Sequence, residues 1–146
     1  MPEKETLERA QQDKREGKSA STQAGEFVRE EIEHIREGKH GARSTRQAIA
    51  IGLSKARRAG VELPPSPGSS EEVKEQAKRD MRKAKSGKKS AKSTKRSRAT
   101  SKALKREGHS AASRKALSRQ ARSAAKKRSA ASRSRSARKA AATRKK

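Results

Sequence analysis

Sixty-six residues follow Asp80, and they carry 26 lysines and arginines against a single carboxylate, Glu107. The 80 residues before them carry 16 basic and 15 acidic side chains, so nearly all of the formal charge of +26 is distal. The same distal segment holds 16 alanines and 13 serines but only three large apolar residues, Met81, Leu104 and Leu117. So little apolar surface does not offset the entropy of ordering a chain, and like charges at this density repel. Ala, Lys and Arg nevertheless favour helix once their charge is neutralised. The expected fold class is therefore mostly α: a small helical hairpin module in the N-terminal half, with a long basic C-terminal tail that is disordered or conditionally helical.

The rest of the composition narrows the function classes. The 146 residues include no Cys, Trp, Tyr or Asn, and one aromatic, Phe27. No disulfide framework or Cys-based metal site can form. No run approaches the roughly 18 apolar residues of a membrane span, so a membrane partner is not expected. The start, MPEKETLERAQQ, is charged and lacks the apolar stretch of a secretory signal.

Periodicity predicts four helices in the first part. Residues 3–16 read as a polar helix that frays, with Leu7 and Ala10 its apolar content and Gly17 its stop. Residues 22–37 are the best amphipathic segment: Ala24, Phe27, Val28, Glu31, Ile32 and Ile35 recur at i, i+3, i+4, with Glu31 the one polar intruder. Ser21 or Thr22 is placed to cap it and Gly38 to end it. Ser44 with Gln47 forms a capping box for a third helix ending at Gly60, striped by Ala48, Ile49, Gly52, Leu53 and Ala56. Arg46, Lys55, Arg57 and Arg58 are then left to project, mostly away from that stripe. The two facing stripes make a hairpin over about 22–59. Val61–Gly68, with Pro64, Pro65 and Pro67, reads as a stiff extended linker. Ser69 with Glu72 opens a fourth helix through about Lys85, carrying Val73, Ala77, Met81 and Ala84 on one side and stopped by Gly87. The expected organisation is a helical module at 1–63, a linker at 64–69, a bridging helix at 70–86 and a basic tail at 87–146.

A short unit recurs: REGKSASTQA from Arg15, REGKHGARSTRQA from Arg36 and REGHSAASRKA from Arg106. Each copy reads as helix punctuation: a charged last turn, a glycine stop, a small polar link, a hydroxyl cap and the next helix. The repeat is too short and too poor in apolar residues to stack as a solenoid.

The tail points to a polyanion. A duplex presents one negative charge per about 1.7 Å, so residues 81–146 as one helix, about 99 Å long, would lie along roughly 58 phosphate charges. Such binding is driven by counterion release and is nearly blind to sequence. About 10 engaged side chains would give a slope of log affinity against log salt near −9. Single-strand recognition stacks bases on aromatic side chains, which the tail lacks, and the missing Asn removes one adenine reader. Double-stranded DNA is thus the expected partner, with RNA as the alternative; SRSRS at Ser132–Ser136 resembles the Arg-Ser runs of RNA-associated proteins.

The candidate phosphate contacts in the hairpin are Arg43, Arg46, Lys55, Arg57 and Arg58. In the tail they are Lys88, Lys89, Lys92, Lys95, Arg96, Arg98, Lys102, Lys105, Arg106, Arg114, Lys115, Arg119, Arg122, Lys126, Lys127, Arg128, Arg133, Arg135, Arg138, Lys139, Arg144, Lys145 and Lys146. A helix-turn-helix would set the hairpin arginines at a groove, but a seven-residue link exceeds the usual 3–4-residue turn. Auxiliary phosphate contact is the expected use, with self-association through the apolar stripes as a further one.

Chemistry-bearing patterns are sparse. His34 lies near Glu30, Glu31 and Glu37, but no second imidazole shares that face and His40 sits in a loop beyond a glycine. The group reads as surface ion pairing, with Glu30, Glu31 and Glu33 a solvated acidic face on which the tail could rest; no metal or other cofactor is expected. GKHGARST lacks the spacing of a P-loop, and no Ser–His–Asp arrangement can be built, so an enzyme is not expected.

The box GKHGARSTRQAIAIGLSKARRAG, Gly38–Gly60, resembles a family of small, basic, largely uncharacterised proteins of bacteria and their phages. The likeness runs through Ser44, Gln47, Ala48, Ile49, Ala50, Ile51, Ser54, Ala56, Arg57, Arg58 and Gly60. It implies a bacterial source and a cytoplasmic address, and the family supplies no established catalytic role. The Lys/Ala/Ser tail is similar in composition to linker-histone tails and bacterial histone-like proteins, although it lacks their interspersed proline. The combined expectation is a nucleoid-associated, sequence-independent DNA-binding protein. The alternatives are an RNA- or ribosome-associated protein, or a protein-interaction or stress module anchored by its tail.

Overall fold

In a computed structural model that describes residues 1–87 and 91–145, a serine hydroxyl caps every α-helix but the first. The helices are α1 (Lys4–Arg15), α2 (Ala20–Arg36), α3 (Thr45–Arg58), α4 (Glu71–Ser86), α5 (Thr94–Arg106), α6 (Arg114–Lys126) and α7 (Ala130–Arg144), with a 3-10 turn at Ser110–Ala112. Ser19, Ser44, Ser70, Ser93, Ser113 and Ser129 each accept from the backbone N–H three residues on, which satisfies one otherwise orphaned donor per helix. The caps of α2 and α4 are thus Ser19 and Ser70, not the expected Ser21 or Thr22 and Ser69. Gly17, Gly38, Gly60 and Gly87 take positive φ where the sequence places helix stops. Gln47 does not close a reciprocal box on Ser44; its side chain accepts from the Arg43 N–H at 2.7 Å.

The core is two small clusters on either side of the α2–α3 hairpin. One gathers Ala10, Ala24, Phe27, Ala56 and Val61, flanked by Leu7, Leu53 and Leu63. Leu7 and Ala10 dock α1 on α2 rather than leaving it to fray. Val61 and Leu63 likewise fold back onto the hairpin. The second gathers Ile32, Ile35, Ala42, Ala48, Ala111 and Ala112, flanked by Val28 and Leu117.

That second cluster overturns the expected tail. From Thr94 to Arg144 the chain is helical as α5, α6 and α7 outside the short links, and Ala111, Ala112 and Leu117 complete the hairpin core. The Gly41 N–H donates to the Leu104 carbonyl at 2.9 Å, and the Ala42 N–H to the Gly108 carbonyl at 3.1 Å. Thr45 Oγ1 donates to the Ala111 carbonyl at 2.7 Å, and Arg36 Nε to the Ala112 carbonyl at 2.9 Å. Counting large apolar residues misjudged this segment, because two alanines and four backbone groups dock it. Its cations point outward, where water and salt weaken their repulsion. The third copy of the recurring unit also departs from the other two: Glu107 is extended and Gly108 has no positive φ.

Close backbone approach sets the hairpin spacing. A Cβ on Gly52 would stand 2.6 Å from Val28 Cα, and one on Gly41 would stand 2.0 Å from the Glu107 carbonyl oxygen. Across the same interface run charges that the sequence had placed in solvent. Glu30 and Glu31 are 2% and 1% exposed, and Lys55 Nζ bonds both, at 3.4 Å to Glu30 and in a shorter contact to Glu31. The expected acidic face is therefore interior at two of its three residues; Glu33 alone stays at the surface, paired with Arg29 at 3.0 Å. Asp80, fully buried, accepts from Arg58 Nε at 2.9 Å and Gln76 Nε2 at 3.2 Å, and from Ser54 Oγ, joining α4 to α3.

Three stability measurements check this packing. Gly52→Ala should destabilise the protein by about 2 kcal/mol, since the new methyl meets backbone that cannot rotate away. Gly25→Ala, in an exposed turn of α2 with nothing within 4 Å, should stabilise by about 0.5–1 kcal/mol through helix propensity. Lys55→Ala should cost roughly 3 kcal/mol in denaturant unfolding, because it strands two buried carboxylates; an unchanged midpoint would contradict the interior ion pair.

Candidate nucleic-acid interface

The basic residues anticipated as phosphate contacts separate into three groups. Among the hairpin candidates, Lys55 is turned inward onto Glu30 and Glu31, and Arg57 is buried with its Nε donating to the Leu63 carbonyl at 2.9 Å. Arg58 lies along α4, paired to Asp80. Lys55 ties α3 to α2, Arg57 ties it to the segment that follows, and Arg58 ties it to α4, so a reading in which α3 offers them to a groove is not available in this conformation. Arg43 and Arg46 remain exposed at the start of α3.

The second group lies on α5 and α6. On a helix of 3.6 residues per turn, Lys115, Arg119, Arg122 and Lys126 fall within about 60° of one another, and Lys95, Arg98, Lys102, Lys105 and Arg106 within about 100°. Arg96 and Arg114 fall outside these arcs. Both stripes are interleaved with hydroxyls: Ser97 and Ser101 beside the α5 stripe, Ser118 and Ser123 beside the α6 stripe, each set lining a shallow groove. The α6 face that turns inward is different, with Ala116, Leu117, Gln120 and Ser123 half-buried. A third groove joins the two parts of the molecule. It is lined by Arg43 and Arg46 from the hairpin and by Arg119, Gln120 and Ser123 from α6.

The third group shares no such face. On α7, Arg133, Arg135, Arg138, Lys139 and Arg144 are distributed around an exposed helix, followed by Lys145. Arg128 folds along its start, bonding the hydroxyls of Ser132 and Ser136. Lys92 is exposed just before α5, and Lys127 borders the α6 groove. Lys88, Lys89 and Lys146 lie outside the described residues.

Electrostatics distinguishes these surfaces from the hairpin. Among the described residues, the ion pairs involve side chains between Glu3 and Lys85 and none of the lysines or arginines from Lys92 to Lys145. The amino-terminal half is internally neutralised instead: Glu3 is bonded by His34 and Lys39, which hold its carboxyl below the usual range. The anticipated resting of the tail on Glu30 and Glu31 does not occur; contact is made through alanines and backbone. Arg36 and Thr45, which anchor that contact, were missed because their partners are main-chain carbonyls with no residue signature. Among the described residues no helix is long and apolar enough to cross a membrane.

No curated protein and no solved structure matches the chain. A family model does match part of it, over a segment that contains Glu31, His34, His40 and Lys55 and ends before α4. Residues 11–67, from the second half of α1 through α3 to the prolines beyond, are similar to a family of unknown function (DUF6496), which fits the uncharacterised family resembled by the Gly38–Gly60 box.

Proposed function

We propose that this protein binds double-stranded DNA without sequence preference, through phosphate contacts made by the basic faces of α5 and α6. One observation carries the reading: Lys115, Arg119, Arg122 and Lys126 form a single exposed stripe, free of ion pairs, on a helix that is seated on the hairpin through Leu117 and the Ala111–Ala112 turn. A pre-ordered row of cations loses less conformational freedom on binding than a flexible one. Arg43 and Arg46 extend that surface across the adjoining groove. Interleaved serines supply neutral donors for phosphate oxygens. The absence of Trp and Tyr, with Phe27 in the core, removes the stacking platforms of single-strand binders and favours duplex over single-stranded nucleic acid. In the bacterial cell that the Gly38–Gly60 box suggests, such a protein would sit on the nucleoid and coat or bridge DNA.

Substitution tests this better than truncation, because removing the distal residues would also take Ala111, Ala112 and Leu117 out of the core. Fluorescence anisotropy against two unrelated duplexes should give equal affinities and weaker binding to single strands. With about eight side chains engaged, the slope of log affinity against log salt should be near −7. Replacing Lys115, Arg119, Arg122 and Lys126 by Gln should flatten that slope by about 3.6. The same number of replacements on α7, at Arg133, Arg135, Arg138 and Lys139, should do less. Equal loss from both quadruple variants would mean that total charge, not the ordered stripe, binds DNA. Tighter binding to a structured RNA than to either duplex would move the reading to an RNA partner.

A further inference from the structure

His40 is carried by the loop between α2 and α3, yet it folds back so that its ring reaches the face of α2 that holds His34. The two rings stand edge to face, with centroids 6.2 Å apart. Between them lies the Glu31 carboxylate, buried against the hairpin. Its Oε2 is 3.4 Å from His40 Nε2, and its Oε1 is 3.7 Å from His34 Nδ1. One ligand atom from each of the three residues lies within 4.8 Å of the others. Two ligands on tetrahedral zinc stand about 3.3 Å apart, so a small closure of the side chains would bring these three atoms onto one ion.

The outward nitrogens give an independent reason. His40 Nδ1 is 3.0 Å from the Gly41 carbonyl, and His34 Nε2 is 2.9 Å from Glu3 Oε1. With those acceptors taking a ring N–H, the neutral imidazoles would turn His40 Nε2 and His34 Nδ1, as lone-pair nitrogens, toward Glu31. Two such nitrogens and a carboxylate oxygen together make a donor set for a cation. Backbone carbonyl and carboxylate acceptors on the far nitrogen are also the usual supports of metal-bound histidine. Lys55 is the one ammonium shared by the buried Glu30 and Glu31 among the described residues, and Glu30 also accepts from the Glu3 N–H at 3.0 Å. Lys55 bonds Oε1 of Glu31, while Oε2 is the oxygen directed at His40.

We propose that Glu31, His34 and His40 bind one divalent transition-metal ion, zinc by the borderline character of an imidazole and carboxylate set, with water completing the shell. The ion's role is structural. It pins the loop to α2, and that loop supplies the Gly41 and Ala42 N–H groups on which residues 104–108 dock. Metal binding thereby reaches the seating of α5 and α6 without touching their lysines and arginines, and the site stands whether or not those helices bind DNA.

The test uses full-length protein stripped with a chelator and titrated with cobalt(II). One equivalent should produce the intense visible absorption of a tetrahedral site, and zinc should displace it stoichiometrically. Zinc should also raise the thermal unfolding midpoint of the stripped protein. His40→Ala and His34→Ala should each weaken zinc binding at least tenfold, with circular dichroism reporting whether the fold is kept. Glu3→Gln should weaken it about tenfold through loss of support for His34. His109→Ala, the remaining histidine, should bind as the native chain does. No cobalt spectrum and no zinc-dependent stabilisation in the native chain would overturn the proposal and leave the cluster as imidazolium–carboxylate ion pairs. Loss of binding in His109→Ala, with His40→Ala unaffected, would overturn the ligand assignment.

Discussion

A chain with one aromatic residue and few large aliphatic ones coheres here by bringing backbones close together. Gly52 lets α3 lie against the main chain of Val28, and Gly41 lets the α2–α3 loop lie against the main chain at Glu107 and Gly108. At such short range, alanines suffice to fill the space between elements: Ala24, Ala48, Ala56, Ala77 and Ala112 are fully buried. The two glycine approaches do different jobs. One sets the spacing of the hairpin, and the other joins the hairpin to the basic half.

Close packing of small residues also brings charge inside. Glu31 sits on the apolar stripe of α2 and Lys55 on the facing stripe of α3, and each makes the other tolerable in the interior. Such a pair adds little net stability over apolar residues of equal size, but a shifted register would strand both charges. The ion pair therefore favours one alignment of the hairpin. Asp80 performs the same service between α3 and α4, gathering Arg58, Ser54 and Gln76. Other acids of the amino-terminal half, Glu5, Glu62 and Glu71 among them, pair at the surface with cations up to Lys85. Among the described residues no ion pair takes a lysine or arginine of the distal half from Lys92 to Lys145. Those cations remain available to an external polyanion.

The arrangement divides labour among basic residues that look alike in a composition count. Lys55, Arg57 and Arg58 are structural, Arg43 and Arg46 border a groove, and the α5 and α6 rows face solvent. Counterion release by the distal half requires only net charge and does not depend on these distinctions. Order does: α6, seated on a folded hairpin, holds four of its five cations on one side, whereas α7 spreads a similar number around its circumference.

Much of this was legible in the residues. Helix positions follow from serine caps, glycine stops and 3.6-residue periodicity, all of which act within a few residues. The inward path of Lys55 was legible too, since it follows Ala48 by seven and Gly52 by three and so lies on their stripe; opposite charges on facing stripes were the overlooked sign. The placement of Arg57, the meeting of His40 with Glu31, and the docking of Ala111 and Ala112 were not legible. Each depends on where a loop returns, and the partner in most cases is a main-chain carbonyl that every residue carries alike. Local propensity and patterning therefore marked the four amino-terminal helices and the charge partition from sequence alone, but not the ordered helices α5, α6 and α7. Only the tertiary structure decided which alanines are core and which cations are free, because burial is settled by long-range contact between segments whose small side chains give no advance sign of it.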